Sequence, residues 1–139
     1  MREIIISNLT ARFAAFQDLL EQTEEADLQS RLEAPKSKSL AEHLWCVVGA
    51  RESYARAIEA GAWQGFACSM TSFSHDEFRQ ALNSSASAVT TALAAVKDWT
   101  EERDTLLATL NEHEVMHEGQ IIRHLYGVET DPPASFKWA

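Results

Sequence analysis

The segment WTEERDTLLATLNEHEVMHEGQIIRHLYG, Trp99 to Gly127, carries the reading of the whole chain. Thr100 supplies an N-cap hydroxyl, Leu106, Leu107, Leu110, Ile121, Ile122 and Leu125 recur at helical spacing, and Gly127 offers a stop. One long helix from Thr100 to Tyr126 is expected. Near its middle, His113 and His117 stand four residues apart, one above the other on the same face. Two imidazoles placed this way can share a metal ion, which then needs further donors. The plainer alternative is a pair on a helix flank, with Glu112, Glu114 and Glu118 as a solvated acidic surround rather than carboxylates that orient the rings.

The first candidate for a third donor is His43. The preceding segment, Ser39-Leu40-Ala41-Glu42, is a capping box, and a helix from Leu40 to Ala60 follows, with Gly61 as its C-terminal glycine. A histidine in a first helical turn is mildly disfavoured as a cation by the helix dipole, and the neutral ring is the form a metal takes. A His43, His113 and His117 triad would leave coordination positions open. It requires that this helix pack on the last one, which spacing does not establish. Cys46, three residues beyond His43, shares its face and reads first as a small buried hydrophobe, with ligation as the alternative. Cys68 carries no signal. His75 reads as a surface residue. His124 lies on the stripe of the pair, but about 10 Å of helix rise from His117, too far to share the ion.

The rest of the chain is also helical. A first helix from Ile4 to Gln22 carries Ile5, Leu9, Phe13, Phe16, Leu19 and Leu20 on one face, and its Ile4-Ile5-Ile6 run is a weaker candidate for a strand. Thr23 to Leu32 reads as a short capped segment that ends before the Pro35-Lys36-Ser37-Lys38 linker. Residues 62–71, with Trp63, Phe66 and Met70, read as an apolar loop over one end of a bundle. Ser74 and Glu77 form a second capping box for a helix to Lys97, and the Asp98-Trp99 turn suggests that the third and fourth helices are antiparallel neighbours. The tail, residues 128–139, is irregular, and Phe136 and Trp138 are expected to dock it on the bundle. The 139 residues thus read as a single all-α four-helix-bundle domain.

Composition narrows the function. Lys plus Arg is 12 against 21 Asp plus Glu, a formal charge of −9, which disfavours phosphate backbones and hence nucleic acid as a partner. The two cysteines form no CxxC pair or disulfide framework. The N-terminal apolar run is too short for a signal peptide or a membrane span, so a cytoplasmic protein without membrane partners is expected. HEVMH also fits HExxH, in which Glu114 would be the general base of a metal-dependent hydrolase, although the sheet and downstream ligand that usually accompany it are not evident. Arg51 and Arg123 are candidates for gripping an anionic substrate if they face a cavity. Arg51, Tyr54 and Gln120 are candidates for orienting a substrate.

On these residues the chain resembles the DinB-like (DinB/YfiT-type) superfamily of four-helix bundles over nearly its whole length. The motifs are SLAEHLW at residues 39–45, H-x-x-x-H-x-G-Q-I from His113 to Ile121, and the late P-P-x-S-F-x-W segment. The resemblance implies an up-down-down-up bundle, often a homodimer, with a divalent metal such as zinc or nickel held by His43, His113 and His117. It also implies a low-molecular-weight thiol as cosubstrate, in S-transfer to a small electrophilic substrate or in thiol-dependent isomerisation. Glu118 stands where the family often has arginine, and the chain is short for the family. The competing expectation is a non-catalytic metal-binding protein with a stress-related or interaction role. A bundle with coincidental histidines is a third.

Overall fold

A computed structural model describes residues 1–139. It consists of four helices, α1 (Arg2–Gln22), α2 (Leu40–Ala60), α3 (His75–Ala95) and α4 (Glu101–Gly127), with a short 3-10 turn at Glu25–Gln29 and no strands. The Ile4-Ile5-Ile6 run is helical, and Ile4 is exposed. No helix is long and apolar enough to cross a membrane.

Pairwise contacts set the directions. Arg2 meets Asp104 and Arg12 meets Glu118, so α1 and α4 run parallel. Gln17 meets Asn83 and Glu21 meets Arg79, so α1 and α3 are antiparallel. His43 meets His117, and Arg103 meets Ile58, so α2 and α4 are antiparallel. The result is an up-down-down-up four-helix bundle. α3 and α4 are not the side-by-side neighbours their short connection suggests: each packs on α1 and α2, and they face each other across the bundle. Arg103 accounts for this, donating to the carbonyls of Ile58 and Glu59 at 2.8 and 3.1 Å and so tying the start of α4 to the end of α2.

The caps follow the sequence closely. Ser39 Oγ accepts from the Glu42 amide at 3.1 Å while Glu42 accepts from the Ser39 amide at 2.6 Å, and Gly61 takes the left-handed conformation at φ 77°. Ser74 caps α3, but Glu77 reaches back to the Ser72 amide instead of closing the box. Gly127 does not turn the chain. It is the last helical residue, and a Cβ there would lie 2.3 Å from Leu32 Cδ2, so its role is close approach.

Two corrections concern the irregular segments. Residues 62–73 do not cover an end of the bundle; they run back along the flank of α2. Ser53 Oγ donates to the Ala67 carbonyl and accepts from its amide, Glu52 accepts from Ser69, and Phe66 lies over Gly49. This strap returns the chain to start α3 parallel to α2. In the tail, Phe136 is buried with its ring edge-on to Phe16, but Trp138 stays 64% exposed beside Lys137.

The core is two apolar clusters. One is built around Phe16, Leu44, Phe78 and Ile121, the other around Leu9, Ile58, Val89 and Leu107. Between them α4 contributes the buried polar residues Glu114, His117 and Glu118. The candidate site lies in this polar layer.

Candidate metal centre

Antiparallel packing of α2 on α4 brings the first turns of α2 opposite the middle of α4. His43 Nδ1 lies 3.2 Å from His117 Nδ1, and Cys46 Sγ lies 3.6 Å from His113 Nε2. Ring centroids are 4.5 Å apart for His113 and His117 and 5.4 Å apart for His43 and His117. The three residues whose donor atoms all lie within 4.8 Å of one another are Cys46, His113 and His117, a group that can hold a metal ion. His43 joins this group through His117. Sequence reasoning ranked Cys46 as a small hydrophobe, yet its spacing of three from His43 already placed both on one face of α2.

Burial governs the electrostatics. His117 is pushed down to about 3, first by burial and then by the neighbouring His113 and His43. His43 is pushed down to about 4 by burial and then by Lys38. Burial lowers His113 and His124 as well. All four rings are therefore neutral near pH 7, the state in which imidazole donates a lone pair. His113 Nδ1 and His117 Nε2 are buried without a hydrogen-bond partner. Such a group ordinarily costs about 1–3 kcal/mol if left unsatisfied.

The remaining candidates are distributed unevenly. Arg51 and Glu114 are fully buried and paired in a two-bond fork at 2.7 and 2.8 Å, with Arg51 also donating to the Leu82 carbonyl. The guanidinium of Arg51 lies 4.4 Å from the centroid of Phe13. Both are thus committed to each other inside the bundle and face no cavity. Glu118, at the position where the resemblance expects arginine, pairs with Arg12 and accepts from the Lys137 amide at 2.7 Å, which fastens the tail. Tyr54 packs on Trp63 with centroids 4.9 Å apart, about 12 Å of helix rise beyond Cys46. His75, half-buried, bonds the Leu20 carbonyl at 2.7 Å rather than lying free on the surface.

A groove of about 540 Å³ opens beside His43. Gln120 and Arg123 line it from α4, Lys36 and Lys38 from the linker, and His124 from the deeper wall. His124 is held by Ser30 Oγ at 2.8 Å, with its ring 6.3 Å from that of His43. Of the residues expected to orient a substrate, Gln120 alone lines this groove. His43 is the one histidine shared by the groove and the imidazole cluster.

No protein-family model matches the chain, and no curated protein matches it significantly.

Proposed function

We propose that this chain is a DinB-like bundle that holds one divalent cation, zinc or nickel, on His43, His113 and His117, with Cys46 beside them but not needed as a ligand, and employs it in thiol transfer to a small electrophile. The observation that carries the metal reading is the pair of buried, unpartnered nitrogens, His113 Nδ1 and His117 Nε2, within a cluster of neutral imidazoles and a thiol. The donors fit the group: nitrogen and sulfur suit zinc or nickel, whereas calcium and magnesium take oxygen. A bound cation of this kind lowers the pKa of a coordinated thiol, favouring the nucleophilic thiolate.

The protein's own residues supply the surroundings. The Arg51–Glu114 fork sets the register of α2 against α4 and so keeps the imidazoles opposed. His43 faces both the cluster and the groove, and Gln120 offers an amide donor and acceptor to whatever occupies the groove. The hydrolase alternative loses support because both carboxylate oxygens of Glu114 are engaged by Arg51.

The position of Cys46 favours one second reading. Three imidazoles and one thiolate complete a four-donor set, the pattern of closed structural sites, and the chain is then a non-catalytic metal-binding protein. Cobalt(II) loading separates the two. In the catalytic reading, added small thiols generate a sulfur-to-cobalt absorption band in Cys46→Ser as in wild type, and an electrophile such as a haloarene is consumed in a thiol-dependent way. In the structural reading the band is present before any thiol is added, vanishes in Cys46→Ser, and no turnover follows.

A further inference from the structure

The groove beside His43 is cationic in a chain that is strongly acidic. Lys36, Lys38 and Arg123 line it, and no aspartate or glutamate does. None of these three cations is in an ion pair within the chain. Glu42, near the base of the same linker, is already paired with Arg31 at 2.8 Å. With a net charge of −9, three cations without an ion-pair partner around one groove give it a local positive field opposite in sign to the chain's overall charge.

Two positions in the groove also give up local stability without any return from packing. Gly119 sits in the interior of α4, where glycine is a poor helix former, and a Cβ there would meet nothing within 4 Å. Its missing side chain leaves space at the groove wall. Lys36 holds φ at 64°, a left-handed conformation that glycine or asparagine adopts more readily. The strained backbone is thus occupied by a cation at the groove.

We propose that this groove is an anion-binding subsite that holds the carboxylate or phosphate group of a small molecule whose other end reaches His43. Lys36, Lys38 and Arg123 engage the anion, Gly119 leaves room for its body, and Gln120 can hydrogen-bond along it. The link from this anion to a reacting thiol rests on the metal reading above; the subsite itself does not.

The test is amide-shift titration of isotope-labelled, metal-free protein with succinate and, separately, with inorganic phosphate. Saturable shifts confined to residues 36–38 and 119–124 are expected, and the tighter-binding anion identifies the group preferred. Arg123→Glu is expected to weaken binding by at least about tenfold. Gly119→Leu is expected to do the same while raising the melting temperature, since leucine is the better helix former. Absence of saturable shifts with both anions, or binding unchanged in both variants, overturns the subsite. On cobalt(II)-loaded protein, 3-mercaptopropionate is expected to bind at least about tenfold more tightly than 2-mercaptoethanol, with the preference lost in Arg123→Glu; equal affinities overturn the link to the metal. Because the succinate and phosphate titrations need no metal, failure of cobalt to bind sinks the metal reading alone.

Discussion

At the scale of single residues, the imidazoles are neutral because they are buried, and this has a pH signature. Unfolded, each titrates near 6.5; folded, His43 is pushed to about 4 and His117 to about 3. Between those values the unfolded chain binds more protons than the folded one, so this contribution is fully present above about pH 6.5 and is lost as pH falls through about 4 for His43 and about 3 for His117. The metal-free protein is expected to lose melting temperature across that window, and a His43→Asn, His117→Asn variant to lose less of it. Parallel melting profiles would contradict the account. His113 and His117 were readable as a pair because helical spacing fixes which residues share a face, whereas His43 was only a candidate, since spacing does not establish that α2 packs on α4. Cys46 was harder to read, since a thiol on an apolar face is ordinarily packing, and only the distance to His113 distinguishes the two. Arg51 and Glu114 look like substrate and base residues in a linear sequence. Their mutual burial depends on the pairing of two helices, which composition does not disclose.

At the scale of elements, the Arg51–Glu114 fork is the joint between α2 and α4. Replacing either residue alone leaves a buried charge unpaired and is expected to cost about 3–5 kcal/mol. The double replacement Arg51→Met, Glu114→Leu is expected to recover most of that loss, as denaturant titration would show; single variants losing less than about 1 kcal/mol would contradict a buried pair. The strap at residues 62–73 makes a separate demand. A methyl group at Gly49 would lie 2.4 Å from Phe66 Cζ, so Gly49→Ala is expected to displace Phe66 and raise proteolysis of the strap severalfold with helix content unchanged. Equal cleavage rates would count against the close approach. Helix ends were legible where a local signal sets them, as at Ser39, Gly61 and Thr100. The course of the strap and the diagonal placement of α3 and α4 were not, because side-chain contacts such as those of Ser53 and Arg103 decide them.

At the scale of the whole molecule, a polar layer divides the core, and the cluster of histidines sits where α2 and α4 cross it. An apolar filling of that layer would be the simpler way to stabilise a bundle of this size. Three neutral imidazoles, His43, His113 and His117, two of them with an unpartnered ring nitrogen, have a physical account if a cation joins them. A cation at one hundred times its dissociation constant would then add about 2.7 kcal/mol to stability, a gain that a chelator reverses. The most direct test is the metal-to-protein ratio, by plasma mass spectrometry, of wild type and His117→Ala purified without a histidine tag. About one equivalent of zinc or nickel per chain, lost in the variant, is the predicted result. Wild-type protein that is metal-free and takes up neither ion on titration would contradict it.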